Sequence, residues 1–550
     1  MTGWSFATVW EAVARRFPEA PAWWHGEAAA DWAGFERRAE ALAQGLVAAG
    51  LAPGDRVGEL VGNHPAYLET FFAASKARLV PVNLNYRYTA EELRGILQDA
   101  EPGAVVVQGA YVDRAAPLVE ELGFVRRWLW VDDGNGSCPS WAEPYEALAG
   151  AGPDPARRTD ASARSGDDLV LLYTGGTTGQ PKGVMWPQDG LFRMLEELQG
   201  APVPAEADPE GYAARLTRPG PGVLPAAPLM HGTGLFFVLP VLSRGGAVRT
   251  LPSQRFDPVE VLTVLSRERL KGLCIVGDAF ARPLVAALEA EPARYDLSAL
   301  RVVFSSGLTF SAETKSRLLR FAPRAVVVDS LGSSESGGMA RTLTSAQDLS
   351  GGETEEGGAV APRFKVGGRT RVVDDEGRDV VPGSGQVGRL AVAGHLPLGY
   401  WRDPEKTAST FLVLGGVRHV VAGDYATVEA DGTIRLLGRG SVCINTGGEK
   451  VYPDEVEAVV KAAPGVRDCV VVGVPDERFG EVVTAVVEPE PGAAVELASL
   501  ADACRPHLAG YKLPRRLVVL PEGLGRAANG KADYRRLRAL AQERLATPTR

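Results

Sequence analysis

Residues 173–183 read Tyr173-Thr-Gly-Gly-Thr-Thr-Gly-Gln-Pro-Lys-Gly183, a stretch that places glycines and threonine hydroxyls directly ahead of a lysine. The apolar run just before it, Asp168-Leu-Val-Leu-Leu-Tyr173, predicts a short buried strand. Glycines allow backbone N–H groups to approach an anion closely, and Lys182 adds a positive charge. The stretch therefore predicts a phosphate-binding loop, although it lacks the Gly-Lys-[Ser/Thr] spacing of a Walker loop. A plain flexible surface loop would not account for the strand and the lysine together.

Further segments along the chain extend this pattern. They are Pro228-Leu-Met-His-Gly-Thr-Gly234, Leu331-Gly-Ser-Ser-Glu-Ser-Gly337, Gly399-Tyr-Trp-Arg-Asp-Pro-Glu-Lys-Thr407, Ala422-Gly-Asp424, Gly438-Arg439, Gly448-Glu-Lys-Val-Tyr-Pro-Asp-Glu-Val-Glu457 and Asn529-Gly-Lys531. In this order they resemble the motifs of the adenylate-forming superfamily, which includes acyl-CoA synthetases, aryl-CoA ligases, luciferases and peptide-synthetase adenylation domains. The segments at 173–186, 276–282 and 443–453 are most similar to bacterial fatty-acid and steroid-side-chain acyl-CoA synthetases.

Length and composition agree with a cytoplasmic enzyme of more than one domain. The chain has 550 residues, 45% of them hydrophobic and 23% charged, which is typical of globular proteins. A net charge of −9 argues against nucleic acid as the main partner. Five cysteines without paired spacing favour a reducing compartment. We see no signal peptide and no apolar run long enough to span a membrane.

Helix and strand patterns alternate along the chain and predict an α/β fold with helix-covered parallel sheets. The clearest are helices over 39–50, 66–78 and 453–462, and strands over 79–83, 104–108, 469–474 and 481–487. The Pro/Gly-rich segment at about 200–222 predicts a surface loop. The resemblance implies a large N-terminal domain, residues 1–439, that holds the acyl, ATP and magnesium sites. It also implies a small mobile α/β C-terminal domain, residues 440–550, with the active site between the two.

The resemblance implies an ATP-dependent carboxylic acid–CoA ligase of the AMP-forming type. Hydroxide is a poor leaving group, so a carboxylate must be activated before it can be joined to a thiol. In such a ligase the carboxylate attacks the α-phosphorus of ATP, pyrophosphate leaves, and the acyl-AMP then reacts with coenzyme A. The protein has to hold polyphosphate, Mg²⁺, ribose and carboxylate in line and neutralise the developing charge.

The resemblance also assigns nucleotide and metal contacts. The phosphate contacts are Thr174, Gly175, Gly176, Thr177, Thr178, Gly179 and Lys182, and the remaining nucleotide contacts are Gly307, Leu331, Gly332, Ser334, Asp424 and Arg439. Glu335 and Thr178 are the expected metal ligands, since Mg²⁺ prefers carboxylate and phosphate oxygens. Asp424 and Arg439 are expected at the ribose. Leu331 stands where an aromatic residue often stacks on adenine, so a π-stack is lost.

Two half-reactions share the site, and the resemblance implies that the C-terminal domain rotates between them. In the first, Lys531 bridges the attacking carboxylate and the α-phosphate. In the second, Gly448 lines the pantetheine path, where a missing side chain leaves space. His231 orients the carboxylate and stands as a gate between acyl group and thiol. The hinge position, usually Asp or Lys, is Ser441, and we expect rotation to survive with altered kinetics.

Candidates for the acyl pocket are Val276, Gly277, Asp278, Phe304, Ser305, Ser306, Gly307 and Leu308. Two alternatives stay open beside the ligase. The first is an adenylating enzyme with another acceptor: a carrier protein, an amine, or an aryl amine to which it directs activated nitrite. The second is a degenerate member that only binds ligand, and it predicts loss of Lys182, Glu335 or Lys531, all of which are present. The acid and the oligomeric state, monomer or homodimer, are not determined by the sequence.

Overall fold

A computed structural model describes residues 4–174, 181–204, 207–307, 310–350, 363–366, 368–439, 444–451, 453–525 and 534–546. The helices in this part of the chain are α1 (Phe6–Arg16), α2 (Trp32–Ala48), α3 (Pro65–Lys76), α4 (Ala90–Ala100), α5 (Val112–Ala115), α6 (Glu146–Ala149), α7 (Gln188–Leu198), α8 (Pro209–Ala214), α9 (Gly232–Ser243), α10 (Pro258–Arg267), α11 (Gly277–Ala290), α12 (Ala312–Phe321), α13 (Ala346–Ser350), α14 (Pro404–Thr410), α15 (Pro453–Lys461), α16 (Leu497–Cys504) and α17 (Tyr534–Ala546).

The strands of the same ranges are β1 (Pro21–His25), β2 (Ala28–Asp31), β3 (Arg56–Leu60), β4 (Val80–Asn83), β5 (Pro102–Gln108), β6 (Arg127–Val131), β7 (Glu143–Pro144), β8 (Leu169–Thr174), β9 (Lys182–Pro187), β10 (Gly222–Pro225), β11 (Ala247–Thr250), β12 (Gly272–Ile275), β13 (Val302–Ser306), β14 (Val326–Ser333), β15 (Gly337–Ser345), β16 (Arg363–Val366), β17 (Thr370–Val373), β18 (Val387–Val392), β19 (Phe411–Leu414), β20 (Val417–Val420), β21 (Asp424–Val428), β22 (Ile434–Arg439), β23 (Ile444–Thr446), β24 (Glu449–Val451), β25 (Val466–Asp476), β26 (Gly480–Pro489) and β27 (Arg516–Val519).

Three sheets organise these elements. The first has the order β7-β6-β5-β3-β4-β8-β9 and is parallel except for the β8–β9 hairpin. The second runs β19-β20-β18-β21-β22-β16-β15-β14-β13-β12-β10-β11-β1-β2, with β17 paired to β18. It is parallel from β11 through β14 and antiparallel from β14 to β22. The third, β24-β23-β26-β25 with β27 on β26, belongs to the C-terminal residues.

The helices form where the sequence supplies caps and apolar faces. Thr89 and Glu92 make a reciprocal capping box at the start of α4, and Ser311 caps α12 by accepting from Thr314 N–H. Helix α3 is buried along its whole length because it packs against α1, α2, β3 and β4, and its two charged residues, Glu69 and Lys76, are buried in ion pairs. The α/β fold class and the main predicted elements are confirmed.

The predicted surface loop at 200–222 is wrong in part. Residues Pro209–Ala214 form α8, whose N-terminus is capped by the Asp208 carboxylate accepting from Gly211 N–H. Tyr212 in this helix is buried and makes edge contacts with Trp4 and Phe192. Richness in proline and glycine predicted a loop, but Asp208 and Pro209 are here the N-cap and first residue of a short helix.

The C-terminal residues have cores of their own. One joins Ile444, Val456, Val471, Val483 and other apolar residues between the third sheet and α15 and α16, and a second joins that sheet to α17. Ala509 instead packs into an N-terminal core beside Tyr88, so the two parts of the chain also touch. Within the described ranges, no helix is long and apolar enough to cross a membrane.

Candidate active site

A cavity of about 330 Å³ runs along β13 and β14 to their carboxyl ends, beside the N-terminus of α9. Ligands of α/β sheets bind at this end of the strands. Seven of the predicted site residues line it: Thr174, His231, Gly307, Gly332, Ser334, Glu335 and Gly448. The structure therefore brings together residues from distant motifs, as the sequence predicts.

Alternate residues of β13 and β14 form one wall of the cavity. They are Val302, Phe304, Ser306, Val328, Ser330 and Gly332. The intervening Val303, Ser305 and Asp329 are buried on the opposite face, as the two-residue period of a strand requires. Ser305 accepts a hydrogen bond from Gly277 N–H at 3.0 Å there. Of the acyl-pocket candidates in the described ranges, Phe304, Ser306 and Gly307 line the cavity, whereas Ser305, Val276, Gly277 and Asp278 do not.

The apolar lobe of the cavity lies between helices and this wall. It is lined by Leu195, Leu198, Phe236, Phe237, Val302, Phe304 and Val328. Phe237 and Phe304 stack with ring centroids 5.8 Å apart, which fixes part of the surface. Such a lining holds an apolar group and has few atoms that could hydrogen-bond to it.

The polar centre of the cavity is formed by Thr174, His231, Ser334 and Glu335. Asn83 holds two of its segments together, because its amide donates to Tyr173 O at 3.0 Å and to Met230 O at 2.7 Å. Tyr400 donates its hydroxyl to Glu335 Oε1 at 2.7 Å and so fixes one carboxylate oxygen.

The interdomain lobe is the part of the cavity lined by Asn85, Tyr88, Gly448, Lys450 and Tyr511, so both halves of the chain contribute to it. Gly448 has φ +90°, and a Cβ there would lie 2.9 Å from Val276 Cγ1. Only glycine fits this position without strain or displacement of Val276. In this arrangement of the N-terminal and C-terminal parts of the chain, Gly448 lies at the cavity beside the polar centre.

Glu449 joins the C-terminal part of the chain to the polar centre. Its buried carboxylate accepts from Arg87 Nη1 at 2.6 Å and lies 3.1 Å from His231 Nε2. Burial alone would raise the pKa of Glu449, but the nearby His231 and Arg87 outweigh it and lower the pKa to about 2. The carboxylate is therefore charged at neutral pH and holds the His231 ring in place.

The phosphate-loop lysine lies next to this cavity. Thr174 and Lys182 are cross-strand partners at the open end of the β8–β9 hairpin. Lys182 forms an ion pair with Asp403, the capping residue of α14, and this contact lowers the pKa of Asp403. The loop residues between them, Gly175, Gly176, Thr177, Thr178 and Gly179, lie outside the described residues, as do Leu308, Ser441 and Lys531.

Two other predicted nucleotide contacts, Asp424 and Leu331, are not among the residues that line the cavity. Asp424 and Arg439 are cross-strand partners in β21 and β22, so their backbones are adjacent as a shared ribose site requires. Leu331 packs against the main core on the face of β14 opposite Ser330. The roles of these residues stay predictions.

Sequence reasoning missed Arg87, Tyr400, Asp403 and Glu449. Three of them stand inside motifs that carried the resemblance, Tyr400 and Asp403 in 399–407 and Glu449 in 448–457. Their motif membership was a signal that could have singled them out. Arg87 lies outside these motifs, and only the folded chain places it against Glu449.

Comparison with known proteins agrees with this geometry. The AMP-binding enzyme family model matches residues 10–401, and the AMP-binding enzyme C-terminal domain model matches residues 455–531. The chain belongs to this family of adenylate-forming enzymes.

Two curated relatives and one solved structure show which members of the family this chain is similar to. A medium/long-chain-fatty-acid–CoA/3-oxocholest-4-en-26-oate–CoA ligase of Mycolicibacterium smegmatis is 39% identical, covering 93% of this chain and 92% of that protein. A 3-oxocholest-4-en-26-oate–CoA ligase of Rhodococcus rhodochrous is also 39% identical, covering 92% and 90%. The amide bond synthetase McbA of Marinactinospora thermotolerans shares the fold, with a TM-score of 0.78 at 24% identity over 98% of this chain and 99% of that one.

These findings confirm the predicted superfamily and the fold with a large N-terminal and a small C-terminal domain. They also support an AMP-forming acid–CoA ligase, a class of enzyme that uses ATP, Mg²⁺ and coenzyme A. The polar centre fits Mg²⁺, because the Glu335 carboxylate and the Thr174 and Ser334 hydroxyls are oxygen donors.

Proposed function

We propose that the protein converts an apolar carboxylic acid, a fatty acid of medium or long chain or a steroid side-chain acid, into its CoA thioester through an acyl-AMP. The observation that carries this proposal is the continuity of the apolar lobe with the polar centre. An acyl chain can lie against Phe237, Phe304 and Val328 while its carboxylate reaches His231. The substrates named for the two bacterial relatives are of the same chemical kind.

We assign the nucleotide contacts from the geometry and the motif positions together. Lys182 neutralises phosphate charge after exchanging its Asp403 partner for phosphate oxygens. Glu335, oriented by Tyr400, would hold Mg²⁺, and the ion would offset phosphate charge when bound. Asp424 and Arg439 bind the ribose, and Leu331 contacts the base.

The assigned parts of the acyl-transfer machinery are His231, Gly448 and Lys531. The present arrangement of the chain suits thioester formation, since Gly448 stands beside His231 and the interdomain lobe gives a thiol a route between the two domains. His231, held by Glu449, then sits between acyl group and thiol. Lys531 serves the adenylation step, for which the C-terminal domain, residues 440–550, rotates about the hinge at Ser441.

The protein is proposed to work in the cytoplasm. Its cysteines in the described ranges, Cys138, Cys274, Cys469 and Cys504, are free thiols. Burial raises the pKa of Cys274 and Cys469, so these two thiols stay protonated and inert at neutral pH.

The test is pyrophosphate release across a panel of acids, each with and without coenzyme A. The panel contains short, medium and long alkyl acids, aryl acids and steroid-like acids. Acid-dependent release by the apolar members, with thioester appearing only when coenzyme A is present, is the expected result. Release of pyrophosphate without any thioester would refute coenzyme A as the acceptor. Amines, carrier proteins and nitrite would then be tested in its place. No release with any apolar acid would refute the proposed substrate class.

A further inference from the structure

The lining of the cavity includes two exposed polar residues outside the polar centre. They are Gln199 and Arg341. Arg341 lies on β15, two strands from β13 and so about 10 Å across the sheet at about 4.8 Å between strands. A substrate whose carboxylate lies at His231 and whose acyl chain crosses the apolar lobe would therefore have its far end near Arg341.

The register of β14 and β15 directs Arg341 toward the cavity. Arg341 is the cross-strand partner of Ser330, which lines the cavity wall. Directly opposed residues of an antiparallel pair share a face of the sheet. The neighbouring pair, Leu331 and Ala340, accordingly faces the core.

The guanidinium of Arg341 keeps hydrogen-bonding capacity. Its Nη1 donates to Leu198 O at 2.8 Å, which anchors the side chain at the end of α7. Within the described residues, no carboxylate oxygen lies within 4 Å of it. The nearby carboxylates are engaged elsewhere, Glu196 with Arg244 and Glu197 with Arg369 and His395.

We propose that Arg341, assisted by Gln199, selects acids that carry an oxygen acceptor at the end remote from the reacting carboxylate. Arginine has five N–H donors, and one bond to Leu198 leaves others for an oxo, hydroxyl or carboxylate oxygen. An apolar lobe between two polar ends suits an elongated acid that is polar at both ends. This inference rests on the proposed function and names the substrate class of the same site.

The experiment compares matched acids that differ only at the remote end: a plain medium-chain acid and its ω-oxo, ω-hydroxy and ω-carboxy analogues. A ring-system acid with and without a remote ketone forms a second pair. For each pair the ratio of kcat/KM, oxygenated over plain, is measured by acid-dependent pyrophosphate release. The analogue with the highest ratio identifies which oxygen group Arg341 recognises.

Arg341→Met is expected to lower the highest of these ratios about tenfold, since it removes a hydrogen bond from a charged donor. Arg341→Lys keeps a positive charge at this position, so its kcat/KM ratio should lie between those of the wild type and Arg341→Met. The control Arg294→Met changes an arginine in the turn after α11 that is 46% exposed and is not among the residues lining the cavity. The ratio measured for this variant should equal the wild-type value.

A ratio that is unchanged in Arg341→Met, while plain acids are turned over normally, would overturn the inference and leave the proposed function standing. Calorimetric titration of the same acids gives the corresponding ratio of Kd values without turnover. If no acid releases pyrophosphate, the proposed function fails, and the Kd ratio alone decides the role of Arg341.

Discussion

Glu449→Gln tests whether the observed contact between the two domains serves thioester formation. The carboxylate is buried against Arg87 and His231, and its pKa is lowered from 4.5 to about 2. At about 1.4 kcal/mol per pKa unit, this depression corresponds to roughly 3 kcal/mol of favourable interaction. Because the pKa is depressed, that contribution is complete above about pH 4.5 and is lost as the pH falls toward 2. At neutral pH the Glu449 carboxylate is therefore charged, and the assay compares this charged side chain with a neutral glutamine.

Neutral glutamine keeps the shape of Glu449 but removes its charge, so this domain arrangement loses up to about 3 kcal/mol, a factor of about 100 in its population. We expect the thioester half-reaction, measured from supplied acyl-AMP and coenzyme A, to slow by about 10- to 100-fold. The adenylation half-reaction, measured by pyrophosphate exchange, should stay close to the wild-type rate, because it uses the other arrangement.

Two variants separate domain contact from the positioning of His231. Glu92 pairs with Lys512 at 2.6 Å across the same interface and does not touch His231. Glu92→Gln weakens this contact, whereas glutamine can still accept from Thr89 N–H in the capping box of α4. Glu91 pairs with His507 in a largely exposed position, and Glu91→Gln should change neither half-reaction. Equal slowing of both half-reactions by Glu449→Gln would refute the reasoning.

Three further changes give separate tests. Lys531→Ala should slow adenylate formation severely yet spare thioester formation from supplied acyl-AMP, and equal damage to both would remove its separate role. Val328→Trp fills part of the apolar lobe, so kcat/KM should fall at least about tenfold for long acids and little for short ones. An equal loss for long and short acids would mean that the acyl chain of the substrate does not lie in this lobe. Lys76→Met leaves Glu11, Glu36 and Glu40 without their shared buried cation, so the free energy of unfolding measured in urea should fall by about 3–5 kcal/mol. The control is Lys271→Met, which changes an exposed lysine. An unchanged urea midpoint for Lys76→Met would contradict the expectation. The pKa of Glu11 is lowered to about 2, so its stabilisation should disappear as the pH falls from about 4.5 toward 2, which urea titrations across this range would detect.

Sequence patterns predicted the fold class and the motifs that meet at the cavity, because strands, glycine-rich turns and charged residues leave local signatures. They could not show which face of a strand turns toward the ligand. Ser305 and Ser306 are adjacent and chemically identical, yet only Ser306 lines the cavity. Strand periodicity separates the two faces, but the packing of α7 and α9 decides which face is which.

The same limit applies more strongly to the charges at the polar centre. Glu449 is 218 residues from His231 and 362 from Arg87, so no spacing rule could have joined them. Their contact also depends on where the C-terminal domain stands. When that domain rotates away, as proposed for adenylation, Arg87 and His231 lose their shared carboxylate partner, and His231 still lines the cavity. The substrate carboxylate and the phosphates arrive in that state, so Glu449 would occupy this position only after the negative charge of pyrophosphate has left.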